Sequence, residues 1–167
     1  DVHRAEVASV ADDGLVTLAD GTVIRGERVL ICAGIQTPAL FGPLGWQTVS
    51  AQDVLRNIEG GERTVIDARA PDRFRGENET MDPVGGHIPG ARNRFFKDNL
   101  QPDGRFKDAA QLKADFAALV DDPAKVVAQC GSGVTACHNL LALEVAGMPG
   151  AALYPGSWSE WSSDPAR

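Results

Sequence analysis

Three short apolar runs, Thr64-Val-Ile-Asp67, Lys125-Val-Val-Ala-Gln129 and Ala151-Ala-Leu-Tyr154, alternate with stretches of helical character, and this alternation most limits the available folds. Apolar runs of this length read as buried strands. Ser50 stands as N-cap to a helix over Ala51 to Ile58, with Gly60-Gly61 as its stop. Leu112, Phe116 and Leu119 form an apolar stripe on a second helix, Asp108 to Leu119. A third is expected over Ala136 to Ala146, closed by Gly147. Strands alternating with helices at short intervals imply an α/β fold, a parallel sheet flanked by helices.

The chain before Trp46 has a different character. Ala5 to Val10, Leu15 to Leu18, Thr22 to Ile24 and Arg28 to Cys32 are short β-rich runs, separated by Asp13-Gly14 and Asp20-Gly21 turn signals. They predict a small β-meander of three or four strands, with little core of its own. The expected division is a β-meander appendage over 1–46 and the α/β domain over 47–167.

Composition narrows the function classes. A chain of 167 residues, 43% hydrophobic and 23% charged, is globular rather than disordered. Its net charge of −7 counts against nucleic acid as a partner, since phosphate backbones demand clustered Lys and Arg. No apolar run approaches the roughly 20 residues that span a bilayer, so no membrane association is expected. The opening Asp1-Val-His-Arg has no apolar h-region and no initiator Met, the expectation for an excised or processed piece. Three cysteines without framework spacing read as reduced thiols, and the expected compartment is the cytoplasm. Three scattered histidines and no C-x-x-C give no metal-site spacing, and no cofactor is expected.

The stretch that carries chemistry is Cys130-Gly-Ser-Gly-Val-Thr-Ala136. It places a Cys at the C-terminal end of a buried strand and opens a Gly-rich loop onto a helix. Ligands of open α/β sheets bind at the carboxyl ends of strands. Gly131 and Gly133 let successive N–H groups converge on one point, and the helix N-terminus adds its positive end. Such donors favour a thiolate at Cys130, or a persulfide one atom further out. Phosphatases of the protein-tyrosine class use a similar cradle but need an Arg six residues after the Cys, and here that position is Ala136.

Cys130-Gly-Ser-Gly-Val-Thr-Ala136 resembles the active-site loop of the 3-mercaptopyruvate sulfurtransferases of the rhodanese family. Thiosulfate-using rhodaneses resemble it less, because they place basic residues directly after the Cys. Asp67-Ala-Arg69, Arg73-Phe-Arg-Gly76, Gly86-His-Ile-Pro-Gly-Ala91 and Gly156-Ser-Trp-Ser-Glu-Trp161 are similar to family motifs in the family's order. The resemblance implies a rhodanese-like sheet and a small-molecule sulfur donor, mercaptopyruvate or thiosulfate. It also implies a thiol acceptor such as thioredoxin, or cyanide in an assay. Cys130 would carry the sulfur as a persulfide. Gly131, Ser132, Gly133, Val134 and Thr135 would form the cradle, with the Ser132 hydroxyl near the leaving group. Arg73 matches a family arginine that binds the donor's carboxylate, whereas a second family arginine has no clear counterpart.

Plainer roles are expected for other residues. Cys137 and Cys32 read as core, His138 as structural or surface, and His87 as a turn held by backbone hydrogen bonds. Asp67 and Arg69 fit a structural pair as readily as a substrate clamp. Trp158 and Trp161, spaced i and i+3, should be buried. The related enzymes carry two rhodanese-like domains in tandem, whereas here about 45 residues precede the domain. Of these, Leu18 to Gly34 resemble part of an FAD-dependent amine or amino-acid oxidase, although no G-x-G-x-x-G is present to bind flavin. A natural fusion, a rearranged gene and an engineered chimera all remain open. So does a non-catalytic rhodanese-fold module lacking the partner domain needed for turnover.

Overall fold

Alternation of side chains along two neighbouring strands divides the core of this protein into two halves. The computed structural model describes residues 7–10, 15–18, 20–25 and 47–167. Near the N-terminus, β1 (Val7–Val10), β2 (Leu15–Leu18) and β3 (Val23–Arg25) form an antiparallel sheet in the order β1-β2-β3. These are the first three runs of the expected meander. The fourth, Arg28 to Cys32, and most of the oxidase-like stretch lie outside the described residues.

From Gln47 onward the elements are α1 (Ala51–Gly60), β4 (Thr64–Asp67), α2 (Pro71–Phe74), β5 (Arg92–Asn93), α3 (Ala109–Ala117), β6 (Val126–Gln129), α4 (Val134–Val145), β7 (Ala152–Leu153) and α5 (Ser157–Ser163). Their four strands form one parallel sheet in the order β5-β4-β6-β7. Ser50 caps α1 as its sequence predicts: its hydroxyl accepts from the Asp53 N–H, while the Asp53 carboxylate accepts the Ser50 N–H at 2.8 Å. Asp108 caps α3 in the same way, accepting from the Gln111 N–H. No helix among the described residues is long and apolar enough to cross a membrane.

Strand period two sends alternate residues to opposite faces. Ile66 of β4 and Val126 and Ala128 of β6 meet Leu112 and Phe116 of α3 and Ala136, Cys137 and Leu143 of α4. Val65 and Val127 face the other way, onto Ala51 and Val54 of α1 and Tyr154, Trp158 and Trp161 around α5. Both tryptophans are buried, as their spacing predicts.

The elements differ from expectation in several places. The third helix begins at Val134, not Ala136, so Val134 and Thr135 belong to its first turn. Strand β6 begins at Val126, because Pro123–Lys125 forms a 3₁₀ turn in front of it. The short helix α2 and the two-residue strand β5 have no counterpart among the expected elements.

Phe116 is wholly buried and also lies under the Arg94 guanidinium, 4.8 Å from its ring centre. Phe116→Ala is therefore expected to destabilise the domain by about 3–5 kcal/mol in urea unfolding.

Candidate active site

Strand β6 ends at Gln129 and delivers Cys130, whose residue surface is only 2% exposed. The start of α5 holds this point through three bonds. The Cys130 N–H donates to Ser157 Oγ at 3.0 Å. The Cys130 carbonyl accepts from the Trp158 N–H at 3.0 Å, and the Gly131 carbonyl from the Ser159 N–H at 2.9 Å. Ser157 Oγ in turn donates to the Tyr154 carbonyl at 2.9 Å, so its hydroxyl is used in both directions. Ser157 sits at φ 54°, a left-handed conformation that costs a residue with a Cβ about 1–2 kcal/mol. The surrounding bonds keep it there.

With the Cys130 N–H spoken for, the cradle consists of the residues after it. Among the described residues, the N–H groups of Gly131, Ser132 and Gly133 have no acceptor. Val134 and Thr135 open α4, where the first N–H groups have no partner within the helix. Gly133 is the N-cap residue at φ 84°, a turn that favours glycine and swings the loop into the helix axis. Consecutive free N–H groups at a helix start form an anion-binding concavity. The expected cradle residues Gly131 to Thr135 are thus brought together beside Cys130.

Arg73, on α2, flanks this loop. A Cβ placed on Gly131 would lie 3.8 Å from both terminal nitrogens of the guanidinium, ordinary van der Waals contact, so Arg73 stands directly against the loop. Glu79 grips one edge of Arg73, accepting from Nε at 3.2 Å and from Nη2 at 2.8 and 3.0 Å. Asp82 stands 3.4 Å from the same Nη2 and also accepts the Ser159 hydroxyl at 2.6 Å. Burial alone would raise the Glu79 carboxyl. Bonds from Arg73 and from the Met81 and Asp82 N–H groups outweigh it and hold the group below the usual carboxylate range. Neither acidic residue is signalled by the sequence, where both sit in a run of polar loop residues.

The remaining candidates take structural roles. Arg69 makes paired bonds to Asp67, donates from Nη2 to the Gly86 carbonyl at 2.7 Å and lies over Trp158; both charged side chains are buried, at 1% and 0% exposure. That burial favours the structural pair over the substrate clamp. His87 Nδ1 bonds the Phe74 carbonyl at 2.8 Å while the ring stacks on Phe74, tying the Gly86-to-Gly90 turn to α2. Cys137 lies in the core and its thiol points at the Gly133 carbonyl. His138 stacks on Phe106, edges Phe96, and lies 3.3 Å from Asn99 Nδ2 through Nδ1. Burial lowers its pKa.

Known proteins share sequence and fold with this domain. The family model described as "Rhodanese-like domain" matches residues 50–164. A Pseudomonas aeruginosa protein named as a probable 3-mercaptopyruvate sulfurtransferase is 58% identical over 108 residues, 62% of this chain and 37% of that protein. The Bos taurus thiosulfate sulfurtransferase is 41% identical over 114 residues, 66% of this chain and 38% of that protein. The solved structure of 3-mercaptopyruvate sulfurtransferase from Leishmania major superposes with a TM-score of 0.60 at 31% identity, covering 70% of this chain and 33% of that one. The chain thus spans less than two fifths of the length of the curated relatives it matches.

Ser157→Ala leaves the buried Cys130 N–H without an acceptor and is expected to cost about 1–3 kcal/mol in denaturant unfolding. Amide exchange at Cys130 should quicken at the same time. A second expectation concerns acid. Because the His138 pKa is lower folded than unfolded, the unfolded chain binds more protons as pH falls below about 6.5, the ordinary histidine value. The contribution of this ring is present above that pH and is lost as pH falls through the folded value. His138→Gln should flatten that part of a melting-temperature profile against pH.

Proposed function

The chain belongs to the rhodanese family, and from that premise we propose that it is a sulfurtransferase in which Cys130 carries the sulfur. One observation supports this most: a buried cysteine at the carboxyl end of a central strand opens onto a run of backbone N–H groups with no partner among the described residues. Such a site holds an anion on or just beyond the sulfur without a formal positive charge in the loop.

In the proposed reaction the Cys130 thiolate attacks the sulfur of 3-mercaptopyruvate. The S–S bond forms as the C–S bond breaks, and the departing enolate takes a proton to become pyruvate. Cys130 is left as a persulfide. An acceptor thiolate, such as that of thioredoxin, then attacks the outer sulfur, takes it away and returns Cys130 as thiolate. Gly131, Ser132, Gly133, Val134 and Thr135 hold the charge throughout, and the Ser132 hydroxyl faces the departing group. Arg73 serves the carboxylate of the donor.

The neutral loop favours mercaptopyruvate over thiosulfate. Thiosulfate is a dianion, and Gly131 supplies none of the basic side chains that thiosulfate-using relatives place after the Cys. The −7 net charge of the chain gives a second dianion penalty at low salt.

Intact mass after incubation with each donor tests the reading. The expected result is gain of one sulfur atom from mercaptopyruvate, little from thiosulfate, and none in Cys130→Ser. Gain from thiosulfate alone would reverse the donor assignment. A persulfide that survives Cys130→Ser would sink the mechanism.

A further inference from the structure

We infer that Glu79 is a positioning residue for donor recognition: it locks one edge of Arg73 so that a single N–H-bearing nitrogen, Nη1, remains for the donor's carboxylate. The inference rests on the sulfurtransferase reading for the identity of that anion. Its geometry stands independently. An arginine that recognises a carboxylate ordinarily does so with two parallel N–H donors. Here Nε and Nη2, which make up one such fork, are both occupied by Glu79. Nη1 has no acceptor among the described residues, and the guanidinium lies beside the backbone of Gly131, at the mouth of the cradle.

Glu79 is itself held from several sides. Its carboxylate accepts the Met81 N–H at 3.0 Å and the Asp82 N–H at 3.1 Å, and lies 3.5 Å from Arg69 Nη1. Its side chain is 4% exposed against 21% for Arg73, so the carboxylate is the fixed member and the guanidinium the guided one. Asp82, 9% exposed, carries the same frame across to Ser159, whose N–H holds the Gly131 carbonyl. Arg73 and the Cys130 loop are therefore aligned through one set of part-buried bonds.

The charges sharpen the point. Arg69 and Arg73 face three carboxylates, those of Asp67, Glu79 and Asp82. The frame has no surplus positive charge to attract a donor. What Arg73 contributes is direction, and direction is what Glu79 sets.

Pyruvate, the keto acid that the proposed reaction releases, is the probe. It is titrated into the wild-type chain, Glu79→Gln, Arg73→Met and the double variant, followed by the amide shifts of Gly131 to Thr135. The dissociation constant is expected to rise about tenfold in each single variant and no further in the double, because Glu79 acts only through Arg73. Glu79→Asp, still charged but too short to keep both grips, should show the same rise if the glutamine variant does not fold. The Arg73 Nε–H resonance should exchange slowly in the wild type and fast in Glu79→Gln, while the Gly131 to Thr135 amides stay sharp. Unchanged affinity in Glu79→Gln, losses that add in the double variant, or no pyruvate binding by the wild type would each overturn the inference. Pyruvate binding with this pattern but no sulfur gained on Cys130 would support the inference and count against the sulfurtransferase reading alone.

Discussion

The parallel pairing of β4 with β6 is the constraint on which the rest of the domain depends. Its register sets Ile66 beside Ala128 and Asp67 beside Gln129, and the Ala68 N–H continues the ladder to the Gln129 carbonyl at 2.9 Å. A slip of one residue would send Val127 into the core beneath α3 and α4 and turn Cys130 to the opposite face. Both strands are buried on both sides, so apolar alternation gives the register little help. The backbone ladder fixes it instead, and polar bonds at the end of β4 hold β5 alongside: Asn93 donates to the carbonyls of Asp67 and Arg69, and Asp67 accepts the Arg69 N–H. Because the two strands end level, one chain leads at once into α2 and Arg73 while the other leads into Cys130. Their meeting at Gly131 follows from the ladder.

How much of this the sequence discloses varies with the kind of force involved. Strands β4, β6 and β7 and helices α1 and α3 are legible because burial writes a periodic pattern and caps such as Ser50 and Asp108 mark the ends. The sequence pattern puts the start of α4 two residues late, since β-branched Val134 and Thr135 are poor helix formers by propensity alone, whereas the Gly133 turn delivers them into the first turn. Strand β5 is two residues long and polar, Arg92 and Asn93, and offers no period to detect.

The site divides in the same way. Cys130 and its proposed cradle are a contiguous motif, and the chemistry proposed for it rests on residue types. Ser157, Glu79 and Asp82 are not legible so directly. Each is a polar residue buried by a partner that hydropathy cannot identify, so in a linear reading it passes for solvated loop or surface. Their partners are a backbone N–H well back in the chain and two arginines, visible only once the ladder has brought the pieces together.

The balance of charges bears on how the proposed site would both take up and give up sulfur. If the cradle owed its attraction to a cation, the loaded anion would be held by a charge pair in a dry site, and its release would leave that cation uncompensated. The positive groups nearest the loop are instead already matched by Glu79, Asp82 and Asp67. What remains is a set of N–H dipoles with short reach and fixed direction. In the proposed reaction the same donors would serve an anion on the Cys130 sulfur or one atom further out with small adjustment. A doubly charged phosphate would gain less there than from an arginine in the loop, which is the physical sense of Ala136 standing where a phosphatase needs that arginine. On the proposed reaction, the loop's neutrality is therefore part of the chemistry: it would keep a loaded site within reach of the acceptor that must empty it.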